Sequence, residues 1–250
     1  STSPSSPSSS RFVAVGCADG TTRVYALYTT AFTDFEFIAE LVGHEDWVRD
    51  TKFQSLTTSE DTTSLFLATC SQDKNARVWE IIARNNKRGE SETNKRLPFE
   101  TLAAPPRPPS EVLKGARVDI QLEALLCGHE DWVFTCAWRP STSDDNSTSS
   151  SRCHQLLTAS ADRSVNLWSP SMDGEADSTG TSLWFSLASL GEAGDNCLGY
   201  RGASFYGRNC FIAHSQSGAL HAWEFMEELQ AWESLSVNSG HTDKIRALVW

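Results

Sequence analysis

The string Gly-His-Glu-Asp-Trp-Val occurs twice in this chain of 250 residues, at 43–48 and at 128–133. An imidazole followed directly by two carboxylates combines groups used in general acid–base catalysis and in metal binding. The same groups, when buried, hydrogen-bond to one another and to nearby backbone, which holds a fold together. Each copy is therefore either an active site or an internal structural contact.

The known catalytic patterns fit neither copy. The metalloprotease pattern H-E-x-x-H fails because Val48 stands at the place of the second histidine. The glycine patterns of nucleotide-binding loops and the serine nucleophile motif do not occur in the sequence. Cys153 and His154 follow a serine-rich stretch that supplies no third catalytic group. The sequence therefore predicts a protein that is not an enzyme, without catalytic, cofactor-binding or metal-binding residues.

Charge and cysteine content narrow the class of protein further. The formal net charge of −11 opposes a general nucleic-acid-binding surface, because such surfaces neutralise phosphates with Lys and Arg. The seven cysteines are odd in number and never spaced as C-x-x-C, which argues against a disulfide framework and a zinc ribbon. No run of 18 apolar residues occurs. We therefore expect a reducing environment, no membrane partner and no small-molecule substrate.

Repeated strand pairs are the elements that position these strings. Apolar residues alternate with period 2 on both sides of a polar turn, and each pair ends on an aromatic residue. The string's histidine precedes that aromatic by 35 residues in one copy and 39 in the other. Such a unit has room for four short strands, as in one β-propeller blade. The pairs are VAVGCADGTTRVY (13–25), LATCSQDKNARVW (67–79), LLTASADRSVNLW (156–168) and FIAHSQSGALHAW (211–223).

Gly-His before a strand, Asp in the turn and Trp at the end of the unit resemble the WD-repeat family. The resemblance implies an all-β fold, a WD-repeat β-propeller. It also implies a buried hydrogen-bonded tetrad in each blade, formed by the histidine, a Ser or Thr before the turn, the turn Asp and the Trp. Two sets of residues match by position: His44, Thr69, Asp73 and Trp79, and His129, Thr158, Asp162 and Trp168.

The predicted organisation is a flexible Ser/Pro loop over 1–10 and a partial propeller over 11–250, with about three complete blades and parts of flanking ones. Two units depart from the tetrad pattern, since Val15 and Ala213 replace the hydroxyl residue and Ser217 replaces the turn Asp. We expect their blades to rely on packing alone. The predicted parts are the end of one blade (11–40), a blade (41–83), a basic proline-containing insertion (84–122), a blade with a serine-rich loop at 141–151 (123–170), a degenerate blade (171–235) and the first strand of the next blade (236–250).

Residues 84–118 carry eight Lys or Arg against four Glu, in a chain that is otherwise acidic. A solvated linker has this composition, and so does a docking arm for an acidic partner or RNA. Both interpretations stay open.

The tryptophan of the repeated string is not needed by a tetrad. With period 2, Val48, Val133 and Ile245 point inward and their neighbours on both sides point outward. These outward positions are predicted partner-binding residues, because exposed aromatic and Arg side chains anchor protein interfaces. The alternative is that the tryptophans pack against the next blade. The predicted residues are Trp47, Arg49, Trp132, Phe134, Lys244 and Arg246.

The order of GHEDWV, SQDKNARVW, GHEDWV, SADRSVNLW, CLGYRGASFYG and GHTDKIRALVW along the chain resembles the family of second subunits of the Elongator complex. The resemblance implies part of a seven-bladed propeller in a non-catalytic scaffold that supports tRNA wobble-uridine modification and transcription elongation. It implies other Elongator subunits as partners, indirect or weak contact with tRNA, and a location in cytoplasm and nucleus. The alternatives are a substrate adaptor of a ubiquitin ligase and an RNA-contacting module acting through 84–118.

Overall fold

A computed structural model describes residues 11–27, 35–58, 62–85, 116–140, 154–171, 183–191, 198–235 and 237–247. These residues form β-strands and no helix, and nothing in them crosses a membrane as a helix. The strands are β1 (Arg11–Gly16), β2 (Thr22–Leu27), β3 (Phe35–Leu41), β4 (Val48–Thr58), β5 (Thr62–Ser71), β6 (Asn75–Asn85), β7 (Ala116–Cys127), β8 (Val133–Trp138), β9 (Leu156–Ser160), β10 (Ser164–Pro170), β11 (Trp184–Gly191), β12 (Tyr200–Phe205), β13 (Cys210–Ser215), β14 (Leu220–Met226) and β15 (Ala231–Leu235).

The strands pair in chain order into four antiparallel sheets. Sheet 1 has three strands (β1–β3), and sheets 2, 3 and 4 have four each (β4–β7, β8–β11 and β12–β15). The first strands of sheets 2, 3 and 4 lie side by side. This arrangement confirms the predicted all-β partial propeller, with three complete blades and part of another.

The blade boundaries expected from the sequence were wrong, because each sheet ends on an outer strand that follows its tryptophan strand. Strand β7 pairs with β6 along its whole length, so 116–122 belongs to sheet 2 and not to the basic insertion expected at 84–122. Strand β11 pairs with β10, so 184–191 completes sheet 3 and does not belong to the degenerate blade expected at 171–235. The blades expected at 41–83 and 123–170 therefore lacked their outer strands.

The expected first strand of a further blade at 236–250 is not formed over 237–247. A strand needs a hydrogen-bonded neighbour, and none of the described residues supplies one at this position. The loops expected at 1–10 and 141–151, and the part of the insertion at 86–115, lie outside the described residues.

The core lies between the sheets, and successive residues of one strand face different neighbours. In β5, Leu67 packs in the cluster between sheets 1 and 2, whereas Ala68 packs between sheets 2 and 3. In β9, Leu156 and Leu157 divide in the same way between the sheets on either side. Both faces are therefore buried, which explains the nearly continuous apolar runs of these strands.

Polar contacts join the inner strands of sheets 2 and 3. The carboxylate of Asp50 accepts hydrogen bonds from the hydroxyl of Thr135 at 2.7 Å and from the backbone N–H of Cys136 at 3.3 Å. The indole of Trp138 donates to the carbonyl of Lys52 at 2.8 Å. These directional bonds determine the alignment of the two sheets, which apolar contact alone leaves loose.

We predict that Gly20→Ala destabilises the chain more than Gly207→Ala. Both glycines have positive φ, 80° and 78°, so both substitutions carry the same backbone cost of about 1–2 kcal/mol. A Cβ at Gly20 would lie 2.5 Å from the carbonyl oxygen of His44, whereas a Cβ at Gly207 would meet no atom within 4 Å. Urea unfolding measures both losses. Equal losses would contradict the close approach of sheet 1 to the loop that enters sheet 2.

Candidate functional site

The first tetrad lies in sheet 2. The ring of His44, in the loop before β4, has Nδ1 2.7 Å from Asp73 Oδ2 and Nε2 2.9 Å from Thr69 Oγ1. The indole of Trp79 donates to the same Thr69 hydroxyl at 3.2 Å. The structure thus brings together the four residues expected from the sequence, which come from the loop, from β5, from the turn and from β6.

The second tetrad repeats this geometry in sheet 3. The ring of His129 has Nδ1 2.9 Å from Asp162 Oδ2 and Nε2 2.8 Å from Thr158 Oγ1. The indole of Trp168 donates to the Thr158 hydroxyl at 2.8 Å. The side chains of His129 and Asp162 are 1% and 8% exposed, so this polar chain is shielded from solvent.

The chemistry of the groups determines the direction of the hydrogen bonds. An indole N–H only donates, so the Thr69 hydroxyl accepts from Trp79 and is free to donate to Nε2 of His44. The ring then accepts at Nε2 and donates from Nδ1 to the carboxylate of Asp73. Both ring nitrogens have partners, as burial requires.

The turn between β5 and β6 aims the carboxylate of Asp73 at the histidine. Lys74 has φ of 72°, in the left-handed region, which reverses the chain within a few residues. Oδ1 of Asp73 accepts from the backbone N–H of Asn75 at 2.9 Å, and Oδ2 accepts from the backbone N–H of Glu45 at 3.1 Å. The aspartate therefore holds its own turn and the incoming loop at once.

Two serines that the sequence reasoning missed complete this link. The hydroxyl of Ser71 donates to the carbonyl of Asp46 at 2.8 Å and accepts from the backbone N–H of Asp73 at 3.1 Å. Ser160 repeats both bonds in sheet 3, at 2.9 Å and 3.1 Å. The signal was present, since each serine stands two residues before the turn aspartate.

The pKa values of the turn aspartates are lowered. For Asp162, burial acts to raise the pKa, but hydrogen bonds from His129 and Ser164 outweigh burial and hold the pKa well below its ordinary value. For Asp73, burial is likewise outweighed by the hydrogen bond from His44 and the pKa is lowered. Both aspartates are therefore ionised hydrogen-bond acceptors at neutral pH.

This geometry favours a structural contact over an active site in both copies. The side chains of His44 and His129 are 2% and 1% exposed and use both ring nitrogens within the fold. Neither imidazole can reach a substrate proton. In the part of the chain that the structure describes, no cluster of three His, Cys, Asp or Glu is arranged for a metal ion.

Aromatic packing occupies the corresponding place in sheet 4. Tyr200 packs edge-on to His221 with ring centroids 5.3 Å apart, and His221 stacks on Trp223 at 6.1 Å. The expectation that such blades rely on packing alone was nonetheless wrong for the turn, where the hydroxyls of Ser215 and Ser217 lie 2.6 Å apart. In this turn a hydrogen bond between two serine hydroxyls takes the place of the turn aspartate of sheets 2 and 3, and it is weaker because neither group is charged.

The tryptophans of the repeated string are exposed, while the valines beside them are buried. Trp47 and Trp132 are 50% and 44% exposed, whereas Val48 and Val133 are 8% and 0% exposed. About half of each tryptophan residue therefore meets solvent, whereas the alternative was packing against the next blade. Their role in binding a partner stays a prediction.

Arginine and aromatic side chains from three sheets form a connected group on this surface, which we call the rim array: Trp47, Arg49, Trp132, Phe134 and Arg201. The guanidinium of Arg49 lies 6.0 Å from the Trp47 ring and 5.5 Å from the Phe134 ring. That of Arg201 lies 4.7 Å from the Phe134 ring. Trp132 contacts Phe134 edge-on at 6.2 Å.

Arg201 was missed in the sequence because its unit lacks the Gly-His string. The position of Tyr200 could have revealed it. Tyr200 is the first residue of β12, as Val48 is the first residue of β4, so Arg201 occupies in β12 the position that Arg49 occupies in β4. Lys244 and Arg246 are exposed beyond sheet 4 but make none of the described ring contacts. They stay predicted partner-binding residues outside the array.

Comparison with known proteins gives consistent likenesses. The family model "WD domain, G-beta repeat" matches residues 35–80 and 120–169. Elongator complex protein 2 is 30% identical to the chain in Danio rerio, 32% in Rattus norvegicus and 30% in Homo sapiens, over 94–96% of the chain. The chain spans only 26–27% of the length of these relatives.

Among solved structures, the WD40 β-propeller domain of Doa1 resembles the chain with a TM-score of 0.50 at 17% identity. The alignment covers 93% of this chain and 52% of that one. At this identity the likeness speaks for the fold alone.

We predict that Thr158→Val costs more stability than Thr158→Ser. Valine has the shape of threonine but leaves the Trp168 indole and the His129 ring without their shared partner, which costs roughly 1–3 kcal/mol for each buried group left unpaired. Serine keeps the hydroxyl and loses only a methyl group. Chemical unfolding distinguishes the two, and a loss for Ser as large as that for Val would exclude the tetrad as the cause.

We also predict that the effect of Asp162→Asn depends on pH. The lowered folded-state pKa means that the carboxylate contributes stability above its unfolded pKa of about 3.9, and that this stability is lost as the pH falls. Unfolding free energies of the parent chain and the variant should differ most at neutral pH, and the difference should shrink steadily as the pH falls below about 3.9. Glu130→Gln is the control, since that carboxylate is exposed. A difference that stays constant with pH would contradict the prediction.

Proposed function

We propose that this chain, which carries WD repeats and is similar to Elongator complex protein 2 along nearly its whole length, is part of a non-catalytic scaffold subunit of an Elongator complex. The observation that carries the proposal is the likeness in several organisms, which continues outside the two matched WD repeats. In this role the propeller binds other protein subunits and holds them in fixed positions.

The use of the repeated polar groups supports a scaffold over an enzyme. The histidines of both repeated strings are hydrogen-bonded to the turn aspartates Asp73 and Asp162, and the side chains of all four residues are buried. Such groups stabilise sheets but have no access to a reactant. The exposed side chains of the same strings, the tryptophans, are of the kind that anchors protein interfaces.

Support for tRNA wobble-uridine modification, and for associated transcription elongation, is the proposed indirect role of the chain. Other Elongator subunits are its partners in this proposal, and contact with tRNA is weak or passes through them. The net charge of −11 fits this division, because tRNA repels an acidic surface. A complex with these tasks works in cytoplasm and nucleus, which is the proposed location of the chain.

Recovery of tagged chain from cells tests this proposal. We expect Elongator subunits to co-purify in fixed ratio with the chain and not with the tag alone, since a scaffold subunit remains bound to its complex. Recovery of ubiquitin-ligase components in place of Elongator subunits would favour a substrate adaptor and contradict the proposal.

A salt titration of tRNA binding tests the RNA-contacting alternative, whose basic segment lies mostly outside the described residues. Each phosphate contact contributes to the slope of log affinity against log salt concentration. Equal slopes with and without residues 86–115 would remove this alternative, and a reduced slope on deletion would support it.

A further inference from the structure

The rim array crosses two boundaries between sheets, and its charged groups lack partners of opposite charge. Arg49 lies near the start of β4, Phe134 near the start of β8 and Arg201 near the start of β12. Among the described residues, the guanidiniums of Arg49 and Arg201 make no hydrogen bond or ion pair, and each lies near an aromatic ring. A guanidinium without an internal partner keeps its N–H groups free for a carboxylate, which binds it in a bidentate manner.

Three other arginines of the sheets differ in this respect. Arg23 pairs with Glu40 at 3.1 Å and Arg84 with Asp119 at 2.6 Å. Arg77 donates to the carbonyl of Gly43 at 2.7 Å. Each of these three guanidiniums therefore has an internal partner, whereas those of Arg49 and Arg201 have none among the described residues.

Backbone contacts fix the two tryptophans of the array. The backbone N–H of Trp47 donates to its neighbour Asp46 at 2.7 Å, and its carbonyl accepts from Gln72 at 3.0 Å. The backbone of Trp132 makes the same two contacts, with Asp131 at 2.7 Å and Ala161 at 2.9 Å. The exposed indoles thus project from a rigid loop, so a partner that covers them orders little that is not already ordered.

We propose that the rim array binds an acidic segment of a protein partner, with carboxylates on Arg49 and Arg201 and an apolar side chain against the exposed indole of Trp132. The inference deepens the proposed function, on which it rests, by naming the binding surface and the chemistry of its occupant. Charge complementarity is the argument, since unpaired guanidiniums lie beside exposed aromatic rings.

A protein segment fits this surface better than a nucleic acid does. Exposed Glu45 and Glu130 stand two residues before the two tryptophans, so carboxylates lie close to the array. A polynucleotide carries a phosphate on every unit and would place some of them against these acids. A peptide can place its few carboxylates opposite the arginines alone.

A photo-crosslinking residue in the assembled complex tests the proposal. Trp132→p-benzoylphenylalanine keeps an aromatic ring in the array. Irradiation of the complex purified through the tagged chain, followed by mass spectrometry, then identifies the neighbouring chain. We expect crosslinks to a protein segment that carries carboxylates beside an apolar side chain.

Arginine variants show whether the crosslinked segment is bound through the two guanidiniums or only lies near them. Arg49→Ala combined with Arg201→Ala should lower the crosslink yield by about tenfold, the usual scale for interface arginines. Arg84→Ala removes an exposed, ion-paired arginine of β6 that lies outside the array, and it should leave the yield unchanged. Arg49→Lys with Arg201→Lys, which keeps the charge but not the bidentate edge, should give an intermediate loss and serves if the alanine pair fails to fold.

Several outcomes would overturn the inference. Crosslinks to nucleic acid or to a segment without carboxylates would do so, as would an unchanged yield in the arginine variants. Absence of any crosslink in an assembled complex would overturn it while the proposed function stands. If the parent chain recovers no Elongator subunit, the proposed function fails and the inference fails with it.

Discussion

The hydrogen bond between a buried histidine and a turn aspartate is the constraint on which the rest of this structure depends. In sheets 2 and 3 it joins the loop that enters a sheet to the turn between the second and third strands. A threonine hydroxyl and an indole extend the bond into the centre of the sheet. Because every member is buried, losing one leaves the others unpaired, which makes alternative arrangements of the strands unfavourable.

The same constraint determines what the surface displays. Once the histidine is held inside, period 2 and the aspartate-bound backbone turn the tryptophan of each string outward. A string that looked catalytic therefore has two parts, an internal contact and an exposed indole. The internal part stabilises the blade and the exposed part is available to a partner.

Contacts between sheets allow the rim array to extend across three blades. The bonds from Thr135 to Asp50 and from Trp138 to Lys52 hold sheets 2 and 3 in one alignment. That alignment places Arg49 over Phe134 of the next sheet, and Arg201 reaches the same ring from sheet 4. A rigid array across three blades suits a scaffold, because it can hold a partner without ordering itself first.

The sequence by itself determined what is local to one blade. Strand, turn and strand follow one another within about a dozen residues, and together with the Gly-His string they made the WD-repeat resemblance visible, which implied the meeting of His44, Thr69, Asp73 and Trp79. It did not reveal outer strands β7 and β11, where exposed Leu125, Leu187 and others weaken the alternating pattern that marks a half-buried strand. It also did not reveal Arg201 as a neighbour of Phe134.

Only the tertiary structure decided those features, and the physical reason is the range of the interactions. A tetrad is set by hydrogen-bond register inside one sheet, which the repeat encodes in its spacing. An outer strand is held by backbone pairing, which any side chain permits, and the rim array depends on the way separate sheets pack face to face. The spacing of residues along the chain carries no direct record of that packing.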